Sequence, residues 1–558
     1  MPKLSAGLKF FSSEVRGLHM AAYVLALSAI LSSLLALLRD RLLAHTFGAS
    51  ATLDLYYAAF RIPDLLFVVT ASLVSAYVLI PEILKREGEA QRQYLDTVIV
   101  WFSLFVLVVA VIAEFLAPAL LAILFPRFVA EGHLPELVLL TRILLAQPII
   151  LGLSNIFAAV TQAYHRYALY AATPLLYNVG IILGVVVLYP IFGISGLAWG
   201  VIVGALMHLG IQMPTVLADG FFKSFPRMQP LSTLRSLVSI SVPRSLALSM
   251  GQLSFLGLIG LAGALTAGSI SVFMFAYNLQ AAPLAVIGAS YSVAAFPKLA
   301  QMFSRGEREE FLAHVSIAAR HIFFWSLPAI ALIVVLRAYI VRIVLGSGAF
   351  DWTDTRLTAA ALALLCVSLV SQSLTLLLVR GYYASGRTSV PFFMSAATAI
   401  SAVALGFAFL NIFQDPLVLR AVEVLLRVRG VAGSSVLALP FAYSITAILG
   451  ALFLSIHFNR TFGGFFARTS RTLTESIAAA LAGGVGAYIA LSFFGDITPL
   501  STTAGVMMRG GIGCIAGLLC IAAVYHFIGN EEFKETIGAL RRRALPVQPI
   551  VSAEDVAS

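Results

Sequence analysis

Long apolar blocks fill this chain, and short polar, Gly- or Pro-containing turns separate them. The stretch VIVWFSLFVLVVAVIAEFLAPALLAILF, from Val98 to Phe125, is typical. A helix needs roughly 20 apolar residues to cross a bilayer, because lipid offers no partner to the backbone and the helix must satisfy itself. Read this way, the pattern predicts about fourteen spans. The first six lie near 18–38, 58–84, 95–125, 136–163, 168–190 and 193–216. The next six lie near 233–264, 268–297, 311–346, 356–382, 388–413 and 433–457, and two more near 474–495 and 504–528.

Composition agrees with the pattern. Of 558 residues, 60% are hydrophobic and only 11% charged, with a mean hydropathy of +0.96. A soluble domain carries roughly 25% charged residues. The net charge of +10 does not point to nucleic acid, because the basic residues are scattered through short loops. With the N-terminus placed inside, 22 of the 36 Lys and Arg residues fall in the inner loops or the inner ends of spans and 10 in the outer loops or outer ends. That bias predicts cytoplasmic termini and an even number of spans. The basic segment Met1–Gly17 lacks a cleavage site after the first apolar run, so that run reads as a retained span rather than a signal peptide. Cys366, Cys514 and Cys520 sit in apolar runs at spacings that fit neither zinc nor a disulfide framework.

The chain also repeats itself. LYYAAFRIPDLLFVVTASLVSAYVLIPEIL from Leu55 and VFMFAYNLQAAPLAVIGASYSVAAFPKL from Val272 share an early aromatic–Ala step, a small-residue stretch and a Pro at the inner end. TQAYHRYALYAATP and VRGYYASGRTSVP close the fourth and tenth spans alike, and GISG at Gly193 matches GVAG at Gly430. Three matches in one order predict two six-helix halves related by a parallel repeat around a central cavity. The expected fold is thus an all-α integral membrane protein, with two six-helix lobes in pseudo-twofold arrangement and two extra C-terminal helices. The expected boundaries are an amphipathic N-terminus at 1–17, lobes at 18–225 and 226–460, the extra helices at 461–530 and a cytoplasmic tail at 531–558.

A resemblance to a known family rests on the stretch from Leu37, LLRDRLLAHTFGASATLDLYYAAFRIPDLL. Arg39-Asp40, Phe47-Gly48, Asp54, Tyr56-Tyr57, Ala59-Phe60, Arg61 and Pro63 follow the signature of the MurJ/MviN lipid II flippase family, within the multidrug, oligosaccharidyl-lipid and polysaccharide exporters. Tyr383-Ala384, Arg387-Thr388 and Pro391 are similar to that family's turn after its tenth span. The resemblance implies a flippase of the bacterial inner membrane working by alternating access, with spans thirteen and fourteen guiding a lipid tail. The chain departs from the family at three places. Phe67-Val68 stand where the family carries two adjacent basic residues, Ser33 where it has an arginine, and Tyr277-Asn278 where it has an Asp-Arg pair.

A lipid-linked saccharide presents a dianionic pyrophosphate, and an unpaired charge is costly in a low-dielectric interior. Arg is suited to it through bidentate donors and permanent charge. The candidate substrate-binding residues are Arg39, Asp54, Arg61 and Arg244, the last following Pro243 inside the seventh span. Two of the arginines have candidate acidic partners: Asp64 for Arg61 at i,i+3, and Asp54 for Arg39 across a loop. The implied partners are the anionic cargo and membrane lipids, with no nucleic acid, no cofactor or metal, and a monomeric chain. Catalysis is not expected: the histidines are dispersed without HExxH, and the acids sit singly. Gly196, Gly200 and Gly204 form a small-residue stripe that reads as intramolecular packing. PLVLRAVEVLLRVR, from Pro416 to Arg429, reads as a short amphipathic helix on the outer membrane surface. Beside the leading reading stand an exporter of another lipid-linked polysaccharide or a drug, and a degenerate transporter kept as a scaffold.

Overall fold

The computed structural model describes residues 18–222, 230–494 and 502–544. The expected N-terminal segment 1–17 and the tail beyond 544 lie outside the described residues. What is described is helical throughout, with no strand among the described residues. Ten helices are long and apolar enough to cross a membrane, and eleven if Trp352–Val367 and Leu369–Ala384, bent by 42°, form one broken span. The expected fourteen are reached only by adding Leu18–Phe47, the interrupted run from Ala51 to Leu84, and Arg235–Gly263.

The interrupted run has a local cause. It breaks into Ala51–Ala59, Arg61–Ala71 and Ala76–Leu84. Pro63 has no N–H to give the carbonyl of Ala59, four residues back. Thr141 Oγ1 donates to that carbonyl instead, at 3.3 Å. A neighbouring hydroxyl thus repays the lost bond, as an interior without water requires.

The chain divides into two compact units: 1–282 with 341–365 and 387–450, and 283–340 with 366–386 and 451–558. The first unit takes in parts of the second half, because several of its helix ends and turns bond to residues of the first half.

Within the first unit, the helices Tyr167–Leu183 and Ile194–Gly210 run backbone against backbone. A Cβ on Gly180 would lie 2.1 Å from the Gly204 Cα, and one on Gly200 would lie 2.3 Å from the Gly184 Cα. The glycine stripe therefore packs within the chain, as its sequence suggested. Gly200→Ala is expected to cost about 1–3 kcal/mol through overpacking. Thermal unfolding in detergent measures it, and an unshifted midpoint contradicts the close approach. A separate core gathers Leu79, Ile83, Tyr94, Leu95, Val98 and Ile156.

In the second unit, the helices Phe465–Phe494 and Thr503–Ile528 pack along their length. Gly483 meets Ile521 and Gly486 meets Cys520. Phe324, Leu332, Ala479 and Tyr525 fill the space between, and the Tyr525 hydroxyl donates to the Phe324 carbonyl at 2.9 Å. The helix Glu531–Ala544 is tied down where Arg320 Nε reaches Glu532 at 3.1 Å.

Each half also bonds its expected fourth and sixth spans through a histidine. Ser154 Oγ lies 2.7 Å from His208 Nδ1 in one, and the Tyr382 hydroxyl lies 2.6 Å from His457 Nδ1 in the other. This parallel supports the internal repeat. Cys366 is buried, and all three cysteines are free.

Candidate functional site

Arg39 sits near the end of the first helix, Leu18–Phe47. Its partner is not Asp54, as the sequence suggested, but the adjacent Asp40, reached by Nη2 at 2.8 Å and Nε at 3.0 Å. Nη1 reaches Asn178 Oδ1 at 3.3 Å. Asp40 Oδ2 in turn accepts from Asn278 Nδ2 at 3.1 Å. A single ion pair thereby joins three helices: Leu18–Phe47, Tyr167–Leu183 and Ser269–Pro283. Asp40 is almost wholly enclosed, with 6% of its side chain exposed, whereas Arg39 keeps 22% open. The cation therefore faces the accessible side of the pair.

Arg61 belongs to the same cluster. Its guanidinium neighbours Phe255, which packs on Tyr277, the residue beside the Asn278 that holds Asp40. Arg61 pairs with Asp64 at 3.2 Å, as its i,i+3 spacing predicted. Its Nε donates to the Tyr57 carbonyl at 3.1 Å, and its guanidinium lies 5.1 Å from the centre of the Phe255 ring. Tyr277 stacks edge-on toward Tyr443 at 6.1 Å and flanks Phe255 at 4.7 Å. The Tyr57 hydroxyl is buried without a hydrogen-bond partner. Arg244 lies on the same helix as Phe255, Arg235–Gly263, but its side chain is outside the described residues.

Both described arginines of the cluster thus come already neutralised. The sequence offered these arginines as partners for a pyrophosphate; the described side chains form two Arg–Asp pairs fringed by tyrosines and asparagines. The physical reason is burial, since an unpaired guanidinium away from water is costly. Such a site can still receive an anion. A phosphate oxygen can exchange with a carboxylate as the bidentate acceptor of Arg39, and amide and phenol donors stand ready around it.

Asp54 is apart from this cluster and does another job. It is fully buried. Its Oδ1 accepts from the Ser271 N–H at 2.8 Å and the Ser271 hydroxyl at 2.7 Å. Its Oδ2 accepts from the Gly268 N–H at 2.8 Å and from Arg127 Nη2 at 3.5 Å. The carboxylate thus caps the N-terminus of Ser269–Pro283, where free N–H groups and the helix dipole favour a negative charge. With four donors on its two oxygens, Asp54 has no capacity left for a cargo. In this structure the carboxylate works as a latch on that helix end.

Neighbouring turns complete the latch. Arg127 also donates to the Leu265 carbonyl. Gly268, at φ +87°, presses so closely that a Cβ would lie 2.4 Å from the Ala49 carbonyl oxygen. The Ala349 N–H donates to the His45 carbonyl at 2.8 Å, and Asp354 accepts the Ala49 N–H at 3.1 Å. Arg41 Nη1 caps the Ile343 carbonyl at 2.6 Å. The turn at Phe47–Ser50 is therefore clamped between the turns at 264–269 and 346–351.

Sequence reasoning missed Asn178, Phe255 and Arg127, and met Tyr57 only as part of the motif from Leu37. Asn178 had a signal: a lone amide in the apolar helix YALYAATPLLYNVGIIL. Arg127 had none, since a loop arginine reads as topology.

Comparison with known proteins adds to this geometry. A family model described as lipid II flippase MurJ matches residues 43–503. A probable lipid II flippase MurJ of Thermotoga maritima is 28% identical over 475 residues, which cover 85% of this chain and 91% of that protein. One from Rhizobium tropici is 25% identical over 536 residues, covering 92% and 94%. Among solved structures, a lipid II flippase MurJ in an inward closed conformation matches with a TM-score of 0.71 at 20% identity, over 91% of this chain and 99% of that one. An inward-facing multidrug resistance transporter of the MATE family, in the MOP superfamily, matches with a TM-score of 0.62 at 14% identity, over 78% and 96%. At these identities the structural likeness speaks for the fold alone.

Proposed function

Because the chain belongs to the lipid II flippase MurJ family, we propose that it flips a polyprenyl-linked, pyrophosphate-bearing saccharide, lipid II itself, across the bacterial cytoplasmic membrane. In this reading both termini face the cytoplasm, the chain acts as a monomer, and it has no catalytic activity or cofactor. The observation that carries the reading is the Arg39–Asp40 pair, shared among three helices, in which the cation is the less enclosed partner. The pyrophosphate displaces Asp40 from Arg39, which in turn loosens the hold of Asp40 on Asn278. Cargo binding would so be felt by Ser269–Pro283, the helix whose far end Asp54 caps. With the termini cytoplasmic in this reading, the Asp54 latch faces outward, and its release opens the outward path. Arg61 holds its place through Asp64 and Phe255 and adds a second positive centre. Arg244 is a further candidate cation on the helix that carries Phe255.

The test is replacement of the host's own lipid II flippase. Cells depleted of it and expressing this chain are expected to grow and to display lipid II on the outer leaflet. Normal expression without either outcome removes lipid II as the cargo. A second reading, export of another lipid-linked saccharide, is favoured by Phe67-Val68 and Tyr277-Asn278, which stand where the family carries charge. It predicts no growth rescue but outward movement of that other lipid in vesicles containing the protein.

A further inference from the structure

The helix Pro416–Leu426 belongs neither to the arginine cluster nor to the latch, and none of its residues is fully buried. It begins four residues after the apolar helix Ser389–Ile412 ends, and the chain then returns into Ala438–Phe462. Those two neighbours expose Phe393, Ile400 and Phe407 on one and Leu449, Leu452 and Phe453 on the other. Such surfaces on membrane-spanning helices face lipid, so the short helix lies where the spans leave the hydrocarbon.

Its own outward stripe is apolar as well. Leu417, Ala421, Val424 and Leu425 are exposed, at i, i+4, i+7 and i+8. Leu417 and Leu425 each stand 78% exposed. Val418, Leu419, Val422 and Leu426 face inward and are half-buried. Exposed Arg420 and Arg427 run along one edge of the stripe, and exposed Arg429 follows the helix. Glu423 shares that edge but accepts from the Ser434 hydroxyl at 2.5 Å. An apolar face bordered by arginines is the chemistry of a helix lying in a bilayer interface. The cationic edge is complementary to anionic phosphate esters.

Both ends of the helix are fixed. Asp415 Oδ1 accepts the Leu417 N–H at 2.8 Å, and Arg427 turns the chain out of the helix in the left-handed region at φ +60°. Arg356 Nη2 donates to the Arg427 carbonyl at 2.9 Å. Gly433, a few residues on, abuts Thr266, whose carbonyl accepts the Ser269 N–H beside Asp54's cap. The helix is thus joined through a short rigid turn to the latch.

We propose that Pro416–Leu426 is an interfacial docking site for anionic phospholipid headgroups of the leaflet at the latched end. Acyl chains lie under Leu417, Val424 and Leu425, and headgroup phosphates meet Arg420 and Arg429. The inference does not depend on the cargo. Hydrogen exchange on the full chain in lipid nanodiscs tests it. Amides of 417–426 are expected to exchange about thirtyfold more slowly in phosphatidylglycerol/phosphatidylcholine than in phosphatidylcholine alone, the scale that two arginines near an anionic surface imply. The double variant R420Q/R429Q is expected to exchange at the phosphatidylcholine rate in both bilayers, with residues 268–272 unchanged. L425E is expected to speed exchange in both bilayers. Equal rates for the native chain in the two bilayers overturn the proposal, as does a lipid effect that survives R420Q/R429Q or an unaltered rate in L425E. Slowing by inorganic phosphate in phosphatidylcholine discs, as large as that by phosphatidylglycerol, assigns the arginines to free phosphate and overturns it too.

Discussion

Asp54→Ala is expected to destabilise the protein by ~3–5 kcal/mol, the cost of removing one partner from a buried charged network. It is also expected to abolish growth rescue in the flippase-depleted host. The buried carboxylate holds two backbone N–H groups, one hydroxyl and one guanidinium. Alanine leaves those donors without an acceptor at a site that water does not reach, so the desolvation cost of each remains. Asn is expected to lie between, since it keeps one acceptor but loses the charge that suits a helix N-terminus. Thermal unfolding in detergent, followed by intrinsic fluorescence, gives the stability order native, Asp54→Asn, Asp54→Ala. An Asp54→Ala protein with native stability and native rescue would show that the latch contributes nothing.

The fold was largely legible because span-length apolar blocks are a strong and local signal. The interruptions were not. Pro63 lies in the first turn of its helix, where proline is normally tolerated. Only the tertiary bond from Thr141 shows that Ala59 had lost a partner. The site divides in the same way. Arg61 and Asp64 share one helix face, so their pairing could be read from spacing, and the structure has it at 3.2 Å. Asp54 had no such neighbour. Its partners Gly268 and Ser271 lie more than 200 residues along the chain, and a carboxylate beside an arginine-rich motif reads as part of a binding site. For Arg39 the sequence offers Asp54 as a candidate partner across a loop, whereas the structure pairs it with Asp40, its immediate neighbour. Periodicity arguments overlook i,i+1 pairs because such residues do not normally face each other on a helix. Here Asn278 holds Asp40 from the other side.

Arg39 allows cargo contact to be separated from structural support. Arg39→Ala alone is expected to cost ~3–5 kcal/mol, because it leaves the enclosed Asp40 carboxylate without its cation. Loss of rescue in that variant therefore says little about transport. The double variant R39Q/D40N removes both charges while keeping an amide and most of the volume at each position, and removing a buried pair as a unit costs far less than removing one partner. Its stability is expected to return to within about 1 kcal/mol of native. Its rescue is not: with the guanidinium gone, the pyrophosphate has lost its bidentate donor, and complementation is expected to fall at least ~100-fold, as loss of about 2.7 kcal/mol of charge-assisted bonding implies. Stability by thermal unfolding and rescue by plating efficiency are read on the same strains. If R39Q/D40N regains both, Arg39 serves only to neutralise Asp40, and the cluster is structural. If it regains stability alone, the pair is maintained for an anion that comes and goes, and the neutrality of the empty site is what lets the cargo leave.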